Sequence, residues 1–153
     1  MTKLSDEEFL KIVTDIMYIN RKYSDGDHLK SLPGDVLSYT GTKLAAMKAL
    51  LLEVKVDAHQ AFLDAETEYK ATKARAIRRI TGTPIKEGGA KISQSAAADL
   101  IYSEEDVIKA SQVKNDAEAL WNKLKNITSD SHDLIDSIKS RVIDLQGARR
   151  DER

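Results

Sequence analysis

The sequence predicts an all-α protein: a long helical hairpin with short additional helices, assembling through coiled-coil or bundle packing of its last helix. Two patterns and one composition carry that expectation. The first pattern is a twelve-position ladder at Val107, Ala110, Lys114, Ala117, Trp121, Leu124, Thr128, Ser131, Ile135, Ile138, Val142 and Leu145. Steps of three and four keep these positions on one side of a helix, as helix-on-helix packing requires. The second pattern, at Leu37, Leu44, Met47, Leu51, Val54 and Ala58, repeats the same spacing in the middle of the chain. The composition agrees: 32% of the 153 residues are charged, the balance of long helices that expose most of their surface.

In chain order, Ser5 before Asp6, Glu7 and Glu8 reads as a helix start, because a serine hydroxyl caps free amides and acids suit the positive end of the helix dipole. Phe9, Ile12, Val13, Ile16 and Met17 then share a face. Tyr23-Ser24-Asp25-Gly26-Asp27 breaks this helix, and Leu32-Pro33-Gly34-Asp35 prepares another start. From about Val36 to about Ile80 one long, nearly straight helix is expected, with only Gly41 weakening it. Phe62, Ala65, Tyr69, Ala76 and Ile80 carry its stripe onward, and the eleven-residue spacings Leu51 to Phe62 and Val54 to Ala65 locally unwind a left-handed supercoil.

Thr81-Gly82-Thr83-Pro84 ends that helix, and a Gly-rich loop over 81–93 follows. A short helix starts at Ser93-Gln94-Ser95. Ser103-Glu104-Glu105-Asp106 reads as a capping box with Asp in place of the longer acid, opening a final helix from about Glu104 to about Gln146. Residues beyond Gly147 are expected to fray. The organisation is thus an amino-terminal segment, 1–32, a helical hairpin, 33–147, and a charged tail, 148–153.

Large apolar residues are few. Two Phe, one Trp and five Tyr accompany an apolar fraction of 41% that is rich in alanine, so part of the stabilising burial is expected between subunits. Lys114, Thr128 and Ser131 interrupt the final stripe, and a second row at Val113, Leu120, Ile127 and Leu134 widens it beyond a two-stranded seam. A homo-oligomer held by Trp121, Leu124, Ile135, Ile138, Val142 and Leu145 is the expectation.

Twenty-four basic residues oppose 25 acidic ones, so a net charge of −1 gives no overall attraction to nucleic acid or membrane. The chain has no cysteine, which excludes disulfides and thiolate metal sites. Its start is too acidic for a secretory leader, and no apolar run approaches membrane-spanning length, so a cytoplasmic protein with no membrane role is expected. His28, His59 and His132 lie in three separate segments without ligand spacing, the glycines form no phosphate loop, and no serine has a nucleophile-elbow context. Neither an enzyme nor a bound metal or cofactor is expected.

The strongest chemical signal is Lys70, Lys73, Arg75, Arg78 and Arg79, five cations in ten residues at the end of the long helix. Two readings stand side by side. Cations suit the carboxyl end of a helix dipole, which makes a solvated cluster the better reading from residue physics; a phosphate-binding site is the other.

Three stretches resemble the UvsY family of recombination mediators from T-even-type bacteriophages: Thr72-Lys73-Ala74-Arg75, Ser103-Glu104-Glu105-Asp106-Val107-Ile108-Lys109 and Ile135-Asp136-Ser137-Ile138-Lys139-Ser140-Arg141. The likeness covers roughly residues 40–149. It implies a small helical protein that forms ring-like homo-oligomers, binds single-stranded DNA, and helps a RecA-like recombinase displace the single-stranded-DNA-binding protein, inside an infected host cell. It also implies DNA binding by a Lys-Ala-Arg unit, which falls on Lys73, Ala74 and Arg75. The longer amino-terminal part, Pro84 and the near-zero net charge depart from the family pattern. The alternative is a phage scaffolding, chaperone or assembly coiled coil without a nucleic-acid role, marked by a basic cluster paired with Glu66 and Glu68.

Overall fold

A computed structural model describes residues 4–82 and 91–151. The order is α1 (Asp6–Tyr23), α2 (Gly26–Ser31), α3 (Gly34–Gly82), α4 (Gln94–Leu100), a 3-10 turn (Ile101–Ser103) and α5 (Glu105–Asp151). No strand forms among the described residues, and α3 packs against α5. Most of the expected loop, including Pro84, lies outside the described residues.

The helix starts follow local chemistry. Ser5 forms the full capping box with Glu8: its Oγ accepts from the Glu8 amide at 3.3 Å while Glu8 Oε2 accepts from the Ser5 amide at 2.8 Å. The chain breaks after Tyr23 as expected, and a short helix that the sequence does not announce, α2, follows because Asp25 caps it by accepting from the Asp27 amide at 3.0 Å. Ser93 caps α4 through the Ala96 amide at 3.3 Å. The capping box expected at Ser103 does not form. Ser103 belongs to the 3-10 turn and donates its hydroxyl to the Leu100 carbonyl at 2.7 Å, so Glu104 precedes α5 and its carbonyl takes the first helical bond from Ile108 at 3.0 Å. At the other end α5 runs through Gly147 to Asp151, past the stop expected near Gln146. A single glycine costs a helix only about 1 kcal/mol, and nothing after it turns the chain aside.

The chain divides into two compact units, Met1–Val56 with Asn122–Arg153, and Asp57–Trp121. In the first, α1, α2, the opening half of α3 and the closing part of α5 bury Val13, Ile16, Leu29, Leu37, Leu44, Leu51, Leu124, Ile135 and Ile138. The pairing of α3 with α5 is antiparallel: a Cβ on Gly34 would lie 3.6 Å from Leu145 Cδ1, and one on Gly41 would lie 3.0 Å from Ile138 Cγ2. Gly41 therefore lets the two helices approach where a larger residue would crowd Ile138. Asn20 Nδ2 of α1 donates to Ser131 Oγ at 3.2 Å, and Arg141 Nη2 donates to the Lys30 carbonyl at 3.1 Å, tying α1 and α2 to α5.

The two hydroxyls that interrupt the stripe are absorbed by their own helix. Thr128 Oγ1 donates to the Leu124 carbonyl at 2.8 Å and Ser131 Oγ to the Ile127 carbonyl at 2.7 Å, so both are buried without orphaned donors.

The second unit has a smaller-residue interior. Ala76, Ile101 and Val107 form its core, with Tyr69, Ile77 and Ile80 packed on it, and Ala97 is fully buried. Trp121 is half-buried and stacks on His59 and Phe62, with ring centroids 4.6 and 5.3 Å apart. Aromatic stacking of this kind adds about 0.5–1.5 kcal/mol beyond area burial, a gain that matters in a core with few large side chains.

Candidate nucleic-acid interface

The last five turns of α3 set the five cations around a helix whose buried side is Thr72 and Ala76. Their surroundings divide them. Lys70 pairs with Glu66 one turn earlier at 3.0 Å. Arg75 reaches back to Glu68 and bonds Thr72 Oγ1 at 2.8 Å. Arg79 leaves its own helix and pairs with Glu104 and, at 3.3 Å, with Asp106, tying the end of α3 to the start of α5. Arg78 is exposed and has no side-chain partner among the described residues.

These pairs move the carboxylates. The hydrogen bond from Arg75, then that from Thr72, holds Glu68 below the ordinary carboxylate range. The hydrogen bond from Arg79 does the same for Asp106, and Arg79 is raised in turn by Asp106 and Glu104. All of these groups are substantially solvated, so each pair is screened and contributes on the weak scale of surface ion pairs.

Lys73 stands apart from the other four, being half-buried and held by aromatics in place of acids. Its ammonium lies 5.3 Å from the Tyr69 ring centroid and 5.2 Å from that of Tyr102, and it donates to Tyr102 Oη at 3.3 Å. Tyr102 is 58% exposed. The sequence reading placed Tyr69 on the apolar stripe and passed over Tyr102; only the 3-10 turn that precedes α5 brings the latter beside Lys73. Beside this group a cleft of about 350 Å³ is lined by Glu66, Tyr69, Lys70, Lys73, Ile77 and Lys114, among others.

The residues expected to hold subunits together lie elsewhere than on a free surface. Leu124, Ile135 and Ile138 are buried in the chain's own core, and Trp121, Val142 and Leu145 are half-buried. Heptad spacing shows that a helix faces another helix; it does not distinguish a helix of the same chain from one of a second copy. Here the partner that covers Ile138 is α3 of the same molecule. The second row divides: Ile127 and Leu134 are buried, whereas Val113 and Leu120 are 61% and 42% exposed.

The first unit contains a larger groove, about 960 Å³, lined by Arg21, Lys30, Lys123 and Arg141 together with Asp130, Asp133 and Asp144, among others. Its mixed charge selects no ion. Among the described residues no three His, Cys, Asp or Glu side chains gather as a metal site, and no helix is long and apolar enough to cross a membrane. His28 stacks on Tyr23, and His132 lies 3.4 Å from Asp136. No family model, curated protein or solved structure matches this chain.

Proposed function

We propose that the chain is a single-stranded-DNA-binding recombination mediator, which helps load a RecA-like recombinase onto DNA coated by single-stranded-DNA-binding protein. The observation that supports the binding step is Lys73 between Tyr69 and Tyr102, within a segment of five cations. Single-strand binders combine cations for the phosphates with aromatic faces for the bases, and each base stack is worth about 1–3 kcal/mol. The carboxylates on Lys70, Arg75 and Arg79 are no bar, since solvated pairs of about 0–1 kcal/mol can be exchanged for phosphate. The mediator step follows from the family resemblance and from differential binding: filament formation shifts only if the chain favours the filament-competent DNA over the coated form. Ring-like self-assembly through the final helix, also implied by the resemblance, would draw on the exposed Val113 and Leu120 and on the half-buried Trp121, Val142 and Leu145.

Labelled single-stranded DNA titrated with wild type and with Lys73→Ala/Tyr102→Ala tests the reading. A loss of about tenfold or more is expected, with the helical circular dichroism unchanged. Recombinase ATP hydrolysis on pre-coated DNA should then show a shorter lag with wild type only. Equal binding by both proteins removes this patch from the site.

A second reading, a non-enzymatic phage scaffolding, chaperone or assembly coiled coil, is favoured by the pairing of Lys70 with Glu66 and of Arg75 with Glu68. On that reading Lys70 and Arg75 pair within α3 and Arg79 fastens it to the start of α5, and wild type binds no single-stranded DNA at low salt.

A further inference from the structure

Lys114 is the one charged rung on the twelve-position stripe of α5, between Ala110 and Ala117. Its side chain is 24% exposed, against 70% for Lys70, and its ion-pair partner is Glu118, one turn on at 3.3 Å. A lysine stem can pack on an apolar stripe while its ammonium reaches water at the edge, so the stripe uses the stem and leaves the charge without a role. Helix packing therefore gives no reason for a lysine here. The cleft does: Lys114 enters it from α5 while Lys70 and Lys73 enter from α3, so three ammonium groups and Glu66 share a space of about 350 Å³.

We infer that Lys114 is a phosphate-binding residue of the single-strand site, and that the cleft tracks the strand's backbone, with Lys70, Lys73 and Lys114 each meeting a phosphate and an adjoining base against Tyr69. This rests on the DNA-binding reading above and extends it from a single segment of α3 to a site built by two helices. Glu66 already holds Lys70 at 3.0 Å and Glu118 holds Lys114 at 3.3 Å, so the three ammonium groups keep an excess of one positive charge over the paired acids, and these solvated pairs can be exchanged for phosphate. The apolar stems of the lysines with Ala74 and Ile77 form the rest of the wall. The sequence showed Lys114 only as an interruption of a stripe. Its convergence with Lys73 depends on the register of α5 against α3.

The test uses the full chain and fluorescein-labelled oligothymidylate, with affinity measured by anisotropy across a salt series. Lys114→Met removes the ammonium and keeps an unbranched apolar side chain in the stripe. Affinity is expected to fall about fivefold and the salt slope to lose about 0.7. The thermal midpoint should stay about the same, because the apolar stem that packs in the stripe is retained. Lys114→Arg should retain most of the affinity, and Lys43→Ala, an exposed lysine of the first unit, should leave it unchanged. If Lys114→Met binds like wild type while Lys73→Ala/Arg75→Ala binds weakly, the inference is overturned and the DNA-binding reading stands. If wild type itself fails to bind oligothymidylate, both fall. If Lys114→Met proves poorly folded, Lys114→Gln decides: loss of affinity and slope with the fold intact supports the inference, and wild-type binding overturns it.

Discussion

Gly41→Ala should change sign with the residue at position 138. In the wild-type background the new Cβ stands 3.0 Å from Ile138 Cγ2, inside the 3.5–4.0 Å that carbon atoms prefer, and Ile138 is almost wholly buried. Alanine in a helix interior is favoured over glycine by about 1 kcal/mol. Crowding a packed core costs about 1–3 kcal/mol, so Gly41→Ala alone should be neutral or destabilise by up to about 2 kcal/mol. Ile138→Ala alone should destabilise by about 2–5 kcal/mol through the lost side chain and the cavity. In that background Gly41→Ala gains the helical preference without the clash and should stabilise by about 1 kcal/mol. The resulting coupling of about 1–3 kcal/mol matches the range found for residues in contact. For a chain of this length each kcal/mol moves the thermal midpoint by about 2–4 °C. Urea unfolding by far-ultraviolet circular dichroism, at two protein concentrations, measures all four proteins. Additive effects would refute the close approach of α3 to α5 at this point, and midpoints that rise with concentration would place Ile138 between subunits after all.

Glu68→Gln removes the carboxylate charge that holds Arg75, so single-stranded DNA should bind more tightly by about two- to threefold in an anisotropy titration, with little change in the unfolding midpoint. Trp121→Ala deletes two ring stacks from the second unit and should cost about 2–4 kcal/mol, read by urea unfolding. Glu68 and Asp106 are both held below their ordinary range in the folded chain, so their contribution is complete above the unfolded carboxylate pKa of about 4 and is lost as pH falls through the depressed values. Urea midpoints should therefore drop on acidification below about pH 4, and Glu68→Gln/Asp106→Asn should show a shallower drop.

The helices were legible because their signals are local. Every rung of the final ladder from Val107 to Leu145 is buried or half-buried, as is every stripe position from Leu37 to Ile80 named from spacing. What covers each rung was not legible, since Ile138 facing α3 and Ile138 facing a second copy require the same spacing. The second row makes the point from the other side: Val113 and Ile127 have the same period, yet one is exposed and the other buried. At the basic segment, the pairs within α3 followed from four- and seven-residue separations, and Glu66 and Glu68 could be named as partners in advance. The pairing of Arg79 with Asp106, the contact of Lys73 with Tyr102, and the entry of Lys114 into the same cleft join residues 27 to 44 positions apart. They depend on helix register and on the 3-10 turn, neither of which leaves a periodic signal.

The salt dependence of single-stranded DNA affinity separates phosphate binding by the basic segment from ion pairing within the chain. Binding of a labelled oligothymidylate is to be measured between 50 and 300 mM salt. Three phosphates held by Lys70, Lys73 and Lys114 give an expected slope of log affinity on log salt of roughly −2 per bound chain, steepening toward about −3.5 if Arg75 and Arg79 exchange their carboxylates for phosphate. Undetectable binding at the lowest salt, or an affinity indifferent to salt, would contradict the account and leave the basic segment as a set of helix-fastening ion pairs.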